Sequence, residues 1–201
     1  MAIVRFQPAE RLGGTVRVPA DKSLTHRALL LAALSAGRTR IRGALDAEDT
    51  ASTAGAIAAS GVRVSGDLGD EITVDGRGLR GLRPPPAIDC GNSGTLMRLL
   101  PGILVGQQCD RVVLDGDESL RRRPMGRVAD PLRAMGASIW TAPGGTPPLA
   151  VSGGEPLDGQ THELAVASAQ VKSCLLLAGL VANGVTRVIE PGPSRDHTER
   201  M

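Results

Sequence analysis

Aromatic side chains are almost absent from this chain, which has one Phe, one Trp and no Tyr. A platform that stacks the bases of single-stranded nucleic acid needs several aromatic faces, so this class of binding is excluded. The net charge of +2 is also too small for a polyanion-binding surface, although a local basic pocket could hold a small anion. We therefore expect no nucleic-acid partner and a core built from Leu, Val, Ile and Ala.

Long apolar runs and paired cysteines are also lacking. No apolar stretch reaches the roughly eighteen residues needed to cross a bilayer, so no membrane partner is expected. The three cysteines, Cys90, Cys109 and Cys174, show no CxxC spacing. An odd number of such thiols is typical of a reducing compartment, and we expect a cytoplasmic protein whose cysteines are small hydrophobic residues.

What the chain does contain is an internal repeat. Three segments, residues 21–43, 89–116 and 167–192, each read as a polar loop, an apolar helix, a break with Gly, a short strand and a final Gly. The final glycines recur about every 75 residues, which is the signature of a repeated supersecondary unit. The repeat predicts an α/β (α+β) protein, a pseudo-threefold domain of repeated βαββαβ units around buried helices.

Two kinds of helix are predicted in each unit. Residues 29–34, 99–105 and 175–181 have almost no polar face, and a helix that is apolar all round is buried all round. The second kind is amphipathic, as in residues 125–135. There Pro131 either kinks the helix or places its true start near Asp130.

A short strand is expected before each polar loop. The sequence places these strands at "TVRVP", "AID" and "ELAVA". We expect units at about residues 19–84, 85–160 and 161–201. By the period, the second helix-to-strand junction of the third unit would fall near residue 211, so we expect that unit to be incomplete.

The polar loops are candidate anion sites because each precedes a helix start, where free N–H groups and the helix dipole favour negative charge. The first loop contributes Lys22, Ser23 and Arg27, with Ser23 as the expected helix cap. The others are "GNSGT" at 91–95 and "SAQVKS" at 168–173. Each alone is more often a structural cap or turn. Convergence of three such loops at one end of a threefold domain instead predicts a phosphate or carboxylate site.

Five ordered motifs resemble the enolpyruvyl transferases, and among them the EPSP synthase family: "DKSLTHR", "CGNSGT", "GDESLRRRPMG", "ASAQVKS" and "SRDHTERM". The wording of "SAQVKS" and "RDHTE" is similar to the glyphosate-tolerant bacterial branch. The resemblance implies an inside-out barrel of two similar domains with the active site between them. Residues 19–201 would form the N-terminal substrate-binding domain, and residues 1–18 would cross to the second domain.

The resemblance also implies an activity. The family transfers the enolpyruvyl group of phosphoenolpyruvate to the 5-hydroxyl of shikimate 3-phosphate, in the shikimate pathway of aromatic amino acid biosynthesis. It uses no metal or organic cofactor, acts as a monomer in full-length form, and has glyphosate as a candidate inhibitor. The acidic base for the 5-hydroxyl belongs to the second domain, so we expect this chain to bind shikimate 3-phosphate without turnover.

Residue roles follow from the matching motifs. Lys22 is expected to touch both substrates and to serve in proton transfer. The residues expected at shikimate 3-phosphate are Lys22, Ser23, Arg27, Ser168, Ala169, Gln170, and Ser194 or Arg195. Those expected at phosphoenolpyruvate are Lys22, Asn92, Gly94, Arg123 and Gln170. His26 is expected to be structural.

Two alternatives remain. A relative that acts on UDP-N-acetylglucosamine shares the implied fold, but its first loop has Lys-Asn where this chain has Lys22 and Ser23. A non-catalytic module that binds a phosphorylated ligand would need the same anion-friendly loops. Such a module would catalyse no reaction. Titration of shikimate 3-phosphate into the unchanged chain and into Lys22→Ala and Arg27→Ala variants distinguishes the two: no stabilisation, with the variants behaving like the unchanged chain, would favour the module.

Overall fold

The computed structural model describes residues 3–11 and 13–201. The helices are α1 (Lys22–Leu34), α2 (Glu48–Ala59), α3 (Gly94–Leu104), α4 (Glu118–Arg121), α5 (Gly126–Ala134), α6 (Ala169–Gly179) and α7 (His197–Arg200). The strands are β1 (Arg38–Arg42), β2 (Arg63–Gly66), β3 (Glu71–Asp75), β4 (Ala87–Asp89), β5 (Val112–Asp115), β6 (Ser138–Ala142), β7 (Thr146–Ser152), β8 (Thr161–Glu163) and β9 (Arg187–Ile189).

The strands form three sheets that follow one another along the chain. The first has the order β1-β3-β2 and is antiparallel, and the second has the order β4-β5-β7-β6. In the second sheet β4 and β5 are parallel and are connected through α3. In the third sheet β8 and β9 are likewise parallel and are connected through α6. The same strand-helix-strand unit therefore recurs, and the predicted α/β fold class of repeated units is confirmed.

The buried centre of the molecule consists of α1, α3 and α6. Leu29, Leu99 and Leu175, one from each helix, are fully buried. The two helices α3 and α6 approach closely where Gly102 faces Cys174, since a Cβ on Gly102 would overlap the Cys174 carbonyl oxygen. The prediction of three buried apolar helices is confirmed except at the end of the third segment, where Leu180 follows α6 and is half exposed. Within the described ranges, none of the helices combines the length and apolar character needed to span a membrane.

Helix α5 lies on the surface with one face in the core. Val128 and Leu132 are buried, whereas Arg127 and Arg133 are exposed, as the amphipathic pattern predicts. The expectation of a start near Asp130 is wrong, because the helix begins at Gly126 and runs through Pro131.

Equivalent glycines end the surface helices of the first two units. Gly61 follows α2 with φ +84°, and Gly136 follows α5 with φ +97°. This left-handed conformation favours Gly and commonly ends a helix. Each glycine then leads into a strand, β2 or β6, as the repeat predicts.

Two of the three strands expected before the polar loops differ from the prediction. Residues 87–89 form β4, but residues 15–19 lie outside any strand and are exposed, and they pair with no other strand among the described residues. The third strand lies earlier than expected, at Thr161–Glu163. It pairs with β9 and ends where the Leu164 N–H donates to the Ile189 carbonyl. The following residues then form the loop that leads into α6.

Candidate functional site

The polar loops place the starts of α1, α3 and α6 at one pocket. Each start is capped by a side chain: Asp21 accepts from the Leu24 N–H (2.8 Å), Ser93 from that of Leu96 (3.2 Å) and Ser168 from that of Val171 (3.4 Å). The expectation that Ser23 caps α1 is therefore wrong. Asp21 has the extended backbone of a cap and satisfies the first-turn amide. Ser23 is the second residue of the helix and lies in its first turn.

The pocket encloses about 320 Å³. It is lined by Ser23, Arg27, Thr95, Ser168, Ala169, Gln170, Ser194 and Arg195. Every residue expected at shikimate 3-phosphate except Lys22 is in this set. The three loops and the segment before α7 therefore meet, and the donors they present are cationic, hydroxyl and amide groups suited to an anion.

Arg27 is held at the base of this pocket and is only 3% exposed. Its guanidinium donates to the Thr198 hydroxyl (2.7 Å), the Ser173 hydroxyl (2.6 Å) and the Ser23 carbonyl (3.0 Å). Burial lowers the pKa of Arg27, while the nearby Glu199 carboxylate opposes that shift. Its orientation is thus fixed by neutral acceptors, which leaves its positive charge available to a ligand.

A second cluster lies beside the pocket, around Gly94. The Arg123 guanidinium donates to the Asn92 side-chain oxygen (2.7 Å), and the Asn92 amide donates to Asp117 (2.6 Å). A Cβ on Gly94 would stand 2.5 Å from Arg123 Nη1 and 3.0 Å from Arg98 Nη1. A side chain at this position would have to displace both guanidinium groups, so Gly94 allows them to approach the backbone.

Arg98 joins this cluster to the pocket. Its Nη1 donates to Gln170 Oε1 (3.0 Å), and Gln170 Nε2 donates to the Thr95 hydroxyl (3.1 Å). Burial lowers the pKa of Arg98, and the positive charges of Arg127 and Arg123 lower it further. An anion placed among these guanidinium groups would offset their mutual repulsion.

Lys22 lies outside the pocket lining. Its Nζ forms an ion pair with Asp49 Oδ2 at 2.8 Å, and about half of its side chain is exposed. His26, expected to be structural, is fully buried, and its Nδ1 lies 2.6 Å from the Thr53 hydroxyl. The first loop therefore directs Ser23 and Arg27 to the pocket, Lys22 to an ion pair with Asp49 outside the pocket lining, and His26 to the core.

Comparison with known proteins decides the family. A family model described as EPSP synthase (3-phosphoshikimate 1-carboxyvinyltransferase) matches residues 6–201. The chain belongs to the EPSP synthase family.

Relatives in the EPSP synthase family are similar along nearly the whole chain. A protein named 3-phosphoshikimate 1-carboxyvinyltransferase from Alkalilimnicola ehrlichii is 57% identical over 196 residues, which are 97% of this chain and 44% of that protein. One of the same name from Thermus thermophilus is 55% identical over 202 residues, 100% of this chain and 47% of its own length. A solved structure described as EPSP synthase from Acinetobacter baumannii gives a TM-score of 0.89 at 49% identity, covering 93% of this chain and 43% of that one. The chain thus spans less than half the length of these relatives.

Sequence reasoning about the EPSP synthase motifs missed several residues of the site. Thr95 is the last residue of the second motif and Arg98 follows one turn later on α3, so their spacing from Asn92 at one helix start could have indicated them. Lys172 and Thr198 lie within the fourth and fifth motifs but were given no role, and Glu190 lies outside all five motifs. Among the described residues there is no group of three or more His, Cys, Asp or Glu side chains arranged to hold a metal ion.

Proposed function

We propose that this chain supplies the shikimate 3-phosphate half of an enolpyruvyl transferase site. The observation that carries the proposal is the convergence of Ser23, Arg27, Gln170 and Arg195, from separate segments, on one small pocket. The family supports shikimate-pathway transfer from phosphoenolpyruvate as the reaction. Location in the cytoplasm and inhibition by glyphosate remain predictions.

The proposed ligand placement uses the two clusters separately. The phosphate of shikimate 3-phosphate would lie against Arg27, Arg195 and the N-terminal end of α6, where backbone N–H groups are directed at an anion. Phosphoenolpyruvate would lie nearer Arg123, at the start of α3. Gln170 stands between the two regions through its hydrogen bonds to Arg98 and Thr95.

The proposed reaction is an addition followed by an elimination. The methylene carbon of phosphoenolpyruvate takes a proton while the 5-hydroxyl oxygen forms a bond to the adjacent carbon and loses its own proton. Loss of phosphate and of a proton from the new methyl group then restores the double bond. Lys22, in the first polar loop, is the proposed proton-transfer group, and the clustered arginines would stabilise the charge on phosphate as it leaves.

The pocket also supports the expectation of binding without turnover. In the described part of the chain no carboxylate lines this pocket, so none there could accept the 5-hydroxyl proton. The same observation leaves a non-catalytic phospho-ligand module as the competing interpretation, since binding alone does not require a base.

The test is a calorimetric titration of the chain with shikimate 3-phosphate and with shikimate. We expect the ester to bind and shikimate to bind at least about tenfold more weakly, because the arginines contact the phosphate. Arg195→Ala should weaken binding of the ester on the order of tenfold or more. Arg187→Ala, an exposed arginine on β9 outside the pocket, is the matched control. Equal binding of the ester by the Arg195→Ala and Arg187→Ala variants would contradict the proposal.

A further inference from the structure

A buried ion-pair cluster lies directly behind the pocket. Lys172 Nζ is 2.7 Å from Glu190 Oε2 and 2.7 Å from Glu199 Oε1. The side chains of Lys172 and Glu190 are each only 11% exposed. Charges removed from water in this way cost free energy unless they are paired and hydrogen-bonded, so a cluster of this kind calls for a specific explanation.

Glu190 connects two walls of the pocket. Its Oε1 accepts the backbone N–H of Ser168 (2.9 Å), and its Oε2 accepts the hydroxyl of Ser194 (2.8 Å). Ser168 caps α6, and Ser194 belongs to the segment before α7. One carboxylate therefore fixes both segments relative to each other.

The direction of these hydrogen bonds determines which donors remain for a ligand. The Ser194 hydroxyl proton and the Ser168 N–H are both directed at Glu190. Arg195, next in the chain, instead extends into the pocket and donates to the Ser23 hydroxyl (3.0 Å). The motif left open whether Ser194 or Arg195 contacts the anion. The geometry favours Arg195 as the contact, while the hydrogen bond from Ser194 to Glu190 holds this segment in place.

Lys172 pairs with both carboxylates of this cluster and offsets one of their two negative charges. Burial opposes the charge of Lys172, but its hydrogen bonds to Glu190 and Glu199 outweigh that effect and raise the pKa of Lys172. Burial likewise opposes ionisation of Glu190, yet its hydrogen bonds from Lys172, Ser194 and Ser168 lower the pKa of that carboxyl. Without Lys172, negative charge would stand uncompensated behind an anion pocket.

We propose that Glu190 is a positioning residue for the anion pocket, tethering Ser168 and Ser194, and that Lys172 neutralises it so that an anion is not repelled. This inference rests on the proposed function and adds two residues to it. Neither residue lines the pocket, so both act through the groups they hold.

The test compares shikimate 3-phosphate affinity in four variants by calorimetry. We expect Glu190→Gln to weaken binding on the order of tenfold, since an amide cannot accept from both Ser168 and Ser194 while also accepting from Lys172. Lys172→Met should weaken binding more, because it leaves the carboxylates uncompensated. Lys172→Arg should bind like the unchanged chain. Glu71→Gln, which removes a carboxylate paired with Arg42 between β3 and β1, should have no effect because Glu71 lies outside the pocket lining.

The double variant Lys172→Met/Glu190→Gln separates electrostatics from packing. If Glu190 charge is what opposes the anion, the double variant binds better than Lys172→Met alone. If the cluster only packs the fold, the double variant binds no better than the weaker single variant, and the proposal is overturned. Should Lys172→Met fail to fold, the affinity of Glu190→Gln alone tests the positioning role, since this substitution keeps the side-chain shape.

The outcomes also separate this inference from the function on which it rests. Binding by the unchanged chain, weakened by Arg195→Ala but not by Glu190→Gln, would overturn the positioning role and leave the proposed function standing. No binding of either shikimate 3-phosphate or inorganic phosphate at millimolar concentration would overturn both.

Discussion

The backbone groups at the two ends of the buried helices have different surroundings. At the N-terminal ends of α1, α3 and α6, first-turn residues such as Ser23, Thr95 and Gln170 line a pocket about 320 Å³ in volume. At the C-terminal ends, N–H groups from other segments of the chain donate to the last carbonyl groups of the helices. Arg77 donates its N–H to the Ala33 carbonyl (2.9 Å) in the first unit, and Gly154 donates to the Val105 carbonyl (3.3 Å) in the second.

Equivalent glycines allow these segments to approach the C-terminal ends of the helices closely. A Cβ on Gly76 would overlap the carbonyl oxygens of Ala32 and Ser35, and one on Gly153 would overlap those at the end of α3. A helix leaves orphan groups at both ends. In this domain neighbouring segments satisfy carbonyls at the C-terminal ends, whereas at each N-terminal end a cap accepts one first-turn N–H and the pocket lies against the same turn. Substitutions at the two ends should therefore affect different properties.

Gly153→Ala should have the largest effect on stability. Its new methyl group would collide with the backbone oxygens of Leu104 and Gln107, which cannot rotate away. We expect the free energy of unfolding to fall by about 3 kcal/mol or more, the upper range for overpacking, measured by urea denaturation. Gly37→Ala at the end of α1 is the control, because its Cβ would meet nothing within 4 Å. Affinity for shikimate 3-phosphate in the folded fraction should stay unchanged, and a selective loss of affinity would contradict the division between the two ends.

Sequence reasoning succeeded where a property repeats locally and failed where it depends on a distant partner. The apolar runs and the polar loops of α1, α3 and α6 recur in the chain, so their burial and convergence could be predicted. Residues 15–19 have the composition of a strand, yet a strand forms only where another strand supplies its hydrogen bonds. The pairing of Arg27 with Ser173 spans 146 positions, and no local pattern reveals it.

His26 should produce the next largest effect, in mildly acidic solution. Burial lowers its pKa to about 4, although the Asp49 carboxylate opposes that shift. The described residues offer its Nε2 no hydrogen-bond partner. The unfolded chain, with an ordinary pKa near 6.5, takes up this proton first, so stability is complete above about pH 6.5 and is lost as the pH falls towards 4.

Between pH 7 and pH 5 this single group should remove about 2 kcal/mol from the free energy of unfolding. His26→Asn, which keeps a hydrogen-bonding group near Thr53, should abolish most of that dependence. The measurement is urea denaturation at both pH values. An unchanged slope in the variant would show that His26 is not the group that makes the N-terminal end acid-sensitive.

The smallest effect is expected at the cap of α1, where the capping and the charge of Asp21 can be separated. Asp21→Ala removes the acceptor of the Leu24 N–H and should cost about 1 kcal/mol of stability. Asp21→Asn keeps an acceptor and should cost much less. Both variants remove a carboxylate two residues before Ser23, which lines the pocket, so both should bind shikimate 3-phosphate at least as tightly as the unchanged chain. Calorimetry and urea denaturation on the same samples compare the two properties. A loss of affinity in Asp21→Asn would mean that the N-terminal end needs this negative charge, contrary to its assignment as an anion site.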